Sequence, residues 1–467
     1  MLANASFMPS GQGGLVSLLF GLVLPIVIIL TFWYGTNSDR DDIPPLLTQL
    51  LPAGHAACKS STTFECSSCL TPVMAYVNQT ESDLWTYEYA RDAGNEGLSD
   101  TQCASAFPGL FEDVDQGVAY WKKNEMVPAV TLNAIQLENG MTRALIYEGH
   151  LYIIVAVLSA MHRALAAAHD KASIPDIEFV FSVEDKASDV TGGHMQPLWV
   201  VARKADEQSF FLVPDFGLWA WDNIITGENN EIGPYDEIVE KALAIEKNTP
   251  FTSKIPQLVW RGKLSFAPKL RRGLLDASRD REWSDVKELN WDVRENYLTL
   301  EDHYKYQFIA HVEGRSYSAS LKYRQACNSV VVAHKLSYIQ HHHYLLVSSG
   351  PQQNYVEVER DFSDLDVKMR DLLDHPEKAE MIAHNSVRTF RERDLTDAAE
   401  ACYWRALWRG YGTVSEPARL WHEAVTGQRV KRGMRYETFI LLSSERCWTL
   451  RLGDHLLRKT ERRSRVA

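Results

Sequence analysis

From Leu258 to Tyr411 the chain alternates short apolar runs with helix-like stretches, and this alternation constrains the fold more than any other feature. Leu258-Val259-Trp260, residues 306–310, residues 329–333 and Tyr355-Val356-Glu357 read as strands. Helical patterns fall at 269–277, 317–326, 365–373, 378–393 and 395–411. Apolar runs without polar alternation suit strands covered on both faces, so the expectation is a parallel sheet with helices on each side. Such sheets bind ligands at the carboxyl ends of their strands. Upstream, residues 142–171 read as one long helix whose apolar run, 151–161, is too short to span a bilayer and suits a buried core helix. Residues 177–183, 198–202 and 210–213 read as further strands, and a helix over 235–247 before Pro250 is the expected linker between two domains. At 467 residues the chain is long enough for two such α/β units.

A second feature concerns the membrane. Residues 14–34 carry no charge and from Leu15 read LVSLLFGLVLPIVIILTFWY. About 20 apolar residues cross the hydrocarbon core, and Pro25 is tolerated in such a helix. A cleaved signal peptide has a shorter apolar region behind a basic residue. No basic residue precedes this segment, so the expectation is one uncleaved transmembrane signal anchor behind a short tail, 1–13. The positive-inside rule finds only Arg40 nearby and is nearly silent on orientation. Cys58, Cys66, Cys69 and Cys103 cluster as disulfides of an oxidising compartment would, with three pairings open. Asn78-Gln79-Thr80 is a glycosylation sequon in the same stretch. These features favour a body in the lumen of the Golgi or endoplasmic reticulum. A zinc knuckle on Cys66 and Cys69 lacks a second ligand pair.

The net charge of −12 argues against nucleic acid as a partner. The balance is uneven, since residues 428–467 carry +7 and leave −19 on the rest. The expected organisation is a stem and Cys-containing region over 35–140, an acceptor-side domain over 141–249, a donor-binding domain over 250–414 and a basic extension over 415–467.

Chemistry is best sought at strand ends. Glu313-Gly314-Arg315-Ser316-Tyr317-Ser318-Ala319-Ser320-Leu321-Lys322-Tyr323 lies between a strand and a helix, where backbone N–H groups and hydroxyls suit a phosphate. Arg261 in Trp260-Arg261-Gly262 follows a strand and can fork onto a diphosphate. Glu184-Asp185 ends a strand of the first half, where a carboxylate can act as a general base. Asp113-Val114-Asp115 and Asp364-Leu365-Asp366 match a metal-binding DxD pattern that arises by chance among 61 acids. His341-His342-His343 with His334 looks metal-like, but three consecutive side chains do not converge from a regular element. No GxSxG elbow of a serine hydrolase is present.

The blocks from Tyr304-Lys305-Tyr306 through Glu313-Gly314-Arg315-Ser316-Tyr317-Ser318, Leu321-Lys322-Tyr323 and Cys327-Asn328-Ser329-Val330-Val331 carry a resemblance. It continues through Gln340-His341-His342-His343, Asn354-Tyr355-Val356-Glu357-Val358, Asp361-Phe362-Ser363-Asp364-Leu365 and Cys402-Tyr403-Trp404. Over 177–412 the chain resembles the capsule-associated (family 90) glycosyltransferases, which include protein O-glucosyltransferases and fungal xylosyltransferases. The resemblance implies a GT-B fold, two Rossmann-like domains facing across a cleft. It also implies metal-independent, inverting transfer of xylose or glucose from a UDP-sugar to a hydroxyl of a glycan, glycolipid or protein. The UDP-sugar is a co-substrate, and no cofactor or metal is implied. Asp185 matches the family's base, and Arg261 matches its strand-end arginine. Gly314, Arg315, Ser316 and Ser318 would line the donor turn, with Asp361 and Ser363 near the nucleotide. Ala319-Ser320 departs from a pair that in relatives is commonly Gly-Arg. Ser320 lacks that charge, a contact worth about 1.5–3 kcal/mol, and Arg315 and Lys322 are the candidates to compensate. The departure keeps a second expectation open, a catalytically degenerate member that binds a glycan or a protein.

Overall fold

The structure is a computed structural model that describes residues 59–60, 64–65, 85–124, 135–138, 141–144, 151–186, 191, 196–219, 232–290, 295–418, 420–424 and 426–442. The chain divides into two compact units, Met1–Trp85 and Thr86–Ala467. In the first, Lys59–Ser60 pairs antiparallel with Phe64–Glu65. The expected anchor over 14–34, Cys58, Cys66, Cys69 and Asn78 lie outside the described residues. Among the described residues no helix is long and apolar enough to cross a membrane.

Among the described residues the second unit holds two large sheets and two two-stranded ones, Arg203–Lys204 with Tyr338–Ile339 and Trp421–Glu423 with Arg429–Lys431. The first contains β1 (Ile135–Glu138), β2 (Met141–Ala144), β3 (Ile177–Ser182), β4 (Leu198–Val200) and β5 (Phe211–Leu212). The second contains β6 (Ile255–Gly262), β7 (Ser284–Glu288), β8 (Tyr306–His311), β9 (Val330–His334) and β10 (Val356–Val358). After it come β11 (Trp421–Glu423), β12 (Arg429–Lys431) and β13 (Met434–Arg435). The helices used below are α1 (Glu112–Asn124), α2 (Leu151–Ala166), α3 (Tyr235–Glu246), α4 (Pro268–Ser278), α5 (Leu321–Gln325), α6 (Leu365–Asp374), α7 (Pro376–Thr389) and α8 (Asp397–Gly412).

The second sheet is entirely parallel, in the order β7-β6-β8-β9-β10. Numbered along the chain this is 2-1-3-4-5, a doubly wound, Rossmann-like order whose switch point lies between β6 and β8. Alternate residues feed opposite cores, as burial on both faces requires. Leu258, Trp260, Phe308, Ala310, Val330 and Val332 meet Leu274, Leu365, Met369 and Ile382 from α4, α6 and α7. Val259 and Ile309 on the other face meet Tyr235, Ile238 and Ala242 of α3 and Tyr323 of α5.

The first sheet has the order β13-β2-β1-β3-β4-β5, with β3, β4 and β5 parallel and the remaining pairings antiparallel. Phe179 stacks on Trp199 at 3.7 Å between ring centroids, and Tyr411 of α8 meets Trp199 edge-on at 5.1 Å. Helix α8 therefore returns from beyond the second sheet to cover the first. Gly410 permits this approach, because a Cβ there would stand 2.6 Å from Val114 Cγ1 of α1.

Four expectations change. Residues 141–144 form a strand paired with β1, where edge pairing overrides local helix preference, and the described helix spans Leu151–Ala166. Strand β7 is polar, and only Val286 among its residues packs on the core, so no apolar run announced it. The helix expected over 317–326 spans only Leu321–Gln325, because Ala319 O accepts from Lys322 Nζ and the preceding residues form a turn. Cys103 bonds to Cys402 of α8, with a Cα–Cα distance of 5.6 Å across 299 residues of sequence, rather than within the N-terminal cluster. The seven cysteines also include Cys327, which is buried and free.

The basic extension joins the first sheet. Beyond the β13 pairing, Tyr436 stacks on His162 of α2 at 4.4 Å and Arg432 pairs with Glu178 at 2.7 Å. Since the disulfide closes a very long loop, replacing Cys402 with Ser is expected to cost roughly 2–5 kcal/mol. Thermal unfolding of the variant against the parent, both non-reduced, checks this.

Candidate active site

The residues at the switch point converge on Arg271 of α4. Its Nε donates to Glu313 O at 3.1 Å, just beyond β8, and its Nη1 donates to Lys263 O at 2.6 Å, just beyond β6. The guanidinium lies 5.7 Å from the Trp260 ring and 5.6 Å from the Phe266 ring. No carboxylate pairs with it among the described residues, and burial lowers its pKa to about 10. Arg324 of α5 donates to Ala310 O and to His311 Nδ1, the latter at 3.2 Å. Burial, with Arg271 adding to it, lowers Arg324 to about 9. Two buried cations that face one another without a carboxylate leave a site of positive charge for an anion.

The turn after β8 borders these arginines. A Cβ on Gly314 would lie 3.5 Å from Arg271 Nη2 and 3.3 Å from Tyr317 O, so the glycine keeps the turn close to the guanidinium. Ser316 is 1% exposed, and its hydroxyl has no partner among the described residues. Arg315 is exposed, and Ser318 Oγ lies 2.9 Å from Ser320 Oγ. Glu313 holds the turn from below. It accepts from Ser337 N at 2.7 Å, Tyr338 N at 2.8 Å and Arg360 Nη1 at 2.8 Å.

Asp361 and Ser363 are exposed in the turn after β10, where Asp361 Oδ1 accepts from Ser363 N at 3.0 Å. Between them Phe362 is buried at φ +63°. It reaches α4, since a Cβ on Gly273 would stand 3.5 Å from its ring. The turn is thus anchored to the helix that carries Arg271.

Arg261 is placed differently from the expectation. Its Nε donates to Asn296 O at 2.8 Å, its Nη1 to Trp260 O at 2.9 Å and to Asp285 O, and its Nη2 to Asp285 Oδ2 at 2.8 Å. With its side chain 5% exposed, it ties β6 to β7. Lys322 is likewise committed, 2.7 Å from Asp215 Oδ1, and so is not free to replace the charge absent at Ser320.

Asp185 is exposed three residues beyond β3, and Asp215 lies at the corresponding place beyond β5. Both follow parallel strands of one sheet and so share its carboxyl edge. Tyr317 of the turn after β8 lies near both carboxylates. Burial, then the charges of Asp215 and Asp185, raise its phenol well above the usual value. The carboxyl edge of the first sheet therefore approaches the turn at the switch point of the second.

The sequence model of glycosyl transferase family 90 matches residues 102–422. The chain belongs to that family. It is therefore a glycosyltransferase by membership, and the match over 102–422 takes in the whole second sheet and every strand of the first except β13.

The other motifs resolve as structure. Asp113 of α1 is buried and accepts from Arg203 at 2.7 Å and from Leu212 N at 2.8 Å. Asp364 Oδ1 accepts from Glu359 N at 2.7 Å at the head of α6, and Asp366 Oδ1 accepts from Trp283 Nε1 at 3.0 Å. His341, His342 and His343 form a buried turn against Tyr403 and Phe390. Sequence reasoning missed Arg271, Asp215 and Tyr317. The one available signal was an acid or arginine just past a strand, and neither Arg271 nor Tyr317 occupies such a position.

The histidines create a pH dependence. Burial lowers His341 and His343 to about 3, His303 to about 4, and His311, His342 and His334 in the same direction. Such groups stabilise the fold above their unfolded value near 6.5, and that stability is lost as pH falls below it. Burial has the opposite effect on Asp394, raised to about 7, and on Glu400, raised to about 8, so these two offset part of the loss. The net expectation is a loss of stability as pH falls below 6.5. Denaturant midpoints at pH 7.5 and 5.5 check it, and equal midpoints would refute it.

Proposed function

We propose that this chain moves xylose or glucose from a UDP-sugar to a hydroxyl of a glycan, glycolipid or protein acceptor, with inversion and without a metal. The observation that carries the reading is Arg271, a buried arginine without a carboxylate at the switch point of a doubly wound sheet. It stands beside Gly314, and two residues on, the buried Ser316 hydroxyl has no partner among the described residues. The diphosphate would sit against Arg271 and Arg324, with Ser316, Ser318 and the backbone of the 314–320 turn as donors. Ser320, Asp361 and Ser363 lie around it. Arg261 is omitted from the ligand set because its donors hold β7.

Asp185 is the base in this reading. It takes the proton from the acceptor oxygen as that oxygen attacks the anomeric carbon, while the carbon–oxygen bond to UDP breaks and the electron pair leaves with the phosphate. The growing negative charge on UDP is met by Arg271 and Arg324, which are held in place before the reaction. The 2-1-3-4-5 order and the contact between the two carboxyl edges support a GT-B arrangement. The Cys103–Cys402 disulfide supports a lumenal body in the Golgi or endoplasmic reticulum, behind a single-pass anchor over 14–34.

A second reading, a member that binds without turnover, is favoured by one observation. Ser320 lacks a charge, and Lys322 is committed to Asp215. Calorimetry of the full-length protein with UDP, without added metal, separates the two readings. Micromolar binding that Arg271→Met weakens at least tenfold supports the donor site, and equal affinity for both proteins removes it. Asp185→Asn is expected to lower transfer by roughly 10²–10⁴-fold with UDP affinity kept. Full activity in that variant would remove Asp185 as the base.

A further inference from the structure

Asp215 and Lys322 are 1% and 2% exposed at their side chains, come from opposite sheets, and meet at 2.7 Å. Asp215 Oδ1 also accepts from Gly217 N at 2.8 Å, and Oδ2 accepts from Gln340 Nε2 at 3.3 Å. The charge of the same carboxylate, after burial, raises the Tyr317 phenol above its usual value, so Tyr317 lies near it. On the other side, Lys322 Nζ donates to Ala319 O at 2.8 Å, in the middle of the donor turn. Tyr323 Oη donates to Gly217 O at 2.9 Å. The fit leaves no free volume: a Cβ on Gly217 would stand 2.6 Å from Tyr323 Oη and 2.8 Å from Lys322 Nζ.

Taking two charges out of water is costly, and a buried pair is commonly replaceable by apolar residues without loss of stability. What such a pair does supply is register, because each charge tolerates only one arrangement of its partner. Here the register set is that between the carboxyl edge bearing Asp185 and the turn bearing Gly314 to Ser320. We infer that Asp215 and Lys322, with Tyr317, form a positioning latch that holds the donor turn at a set distance from Asp185. This inference rests on the donor-site reading above. The latch touches neither reacting atom; it acts through Ala319 O and the Tyr317 ring. It also explains how a turn lacking an arginine at position 320 is ordered, since the Lys322 ammonium grips that turn from inside the protein.

The test is the full-length double variant Asp215→Asn/Lys322→Met, which removes both charges, keeps the shape and leaves an acceptor for Gly217 N. Thermal unfolding is expected to stay near that of the parent, whereas either single variant leaves a lone buried charge and melts markedly earlier. Hydrogen exchange of the 314–320 turn is expected to quicken about tenfold or more. The kcat is expected to fall by a similar factor with UDP Kd within about threefold of the parent. Tyr317→Phe, a milder change, should show the same split between kcat and Kd to a smaller degree. Unchanged exchange in the turn overturns the latch, as does a double variant with parental kcat. A fall in UDP affinity that matches the fall in kcat also overturns it, by placing Lys322 among the donor's own ligands. If the parent itself fails to bind UDP, the donor reading fails, and the exchange measurement still decides whether the turn depends on this pair.

Discussion

The Asp215–Lys322 ion pair joins the two sheets at their carboxyl edges, alongside the pairing of Arg203–Lys204 with Tyr338–Ile339. The first sheet is partly covered from the second half of the chain, where Ile339 and Tyr344 pack on Leu198, Val200, Phe210 and Leu212. What neither sheet supplies alone is a place where a carboxylate from one edge stands opposite a basic, hydroxyl-lined turn from the other. The pair joins those edges in the interior, where water does not compete and the attraction is strong. Around it the structure is tightly matched: Gly217 has no room for a side chain, Tyr323 bonds back across the join, and Gln340 completes the carboxylate.

A second electrostatic arrangement follows from the first. Because Lys322 is neutralised by Asp215 and Arg261 by Asp285, the buried positive charge at the switch point that has no carboxylate partner among the described residues is that of Arg271 and Arg324. Their hydrogen bonds go to backbone carbonyls and to an imidazole. That environment orients a guanidinium without cancelling its charge. An anion arriving there finds cations whose positions have already been set, which is the arrangement electrostatic catalysis requires. The structure also shows why an arginine after a strand is an unreliable marker of a ligand. Arg261 lies on β6 itself, and its side chain runs along the sheet toward the neighbouring edge strand, while Arg271 lies a turn into a helix and reaches back over two strand ends.

The alternation of apolar runs and helices predicted a parallel α/β sheet, and strands at 306–310, 329–333 and 355–357 appear within a residue or two of where it placed them. Elements whose stability comes from partners were not legible. The polar edge strand Ser284–Glu288 exists because Leu258 to Gly262 offers it a ladder. The hairpin at 135–144 exists because β3 does. The extension after 415 looked like a basic tail, and the structure shows β13 on the edge of the first sheet and Tyr436 against α2. Proximity in sequence groups Cys103 with the N-terminal cysteines, whereas its partner Cys402 lies in the helix that folds back over it.

By itself the sequence determined the layers, the apolar strands and the family, because burial on both faces of a sheet and a run of ordered motifs leave their marks locally. It also located the 314–320 turn and the acid at 185, since a residue just past a strand lies at a carboxyl edge whatever the rest of the chain does. Only the tertiary structure decided which charges remain available. Whether Arg261, Arg271 or Lys322 faces a ligand depends on which carboxylate stands within 3 Å of it, and Asp285 and Asp215 are brought there by strand order and by the contact of two sheets. Charge pairing of that kind acts across 24 residues in one case and 107 in the other, and nothing in the local sequence records it.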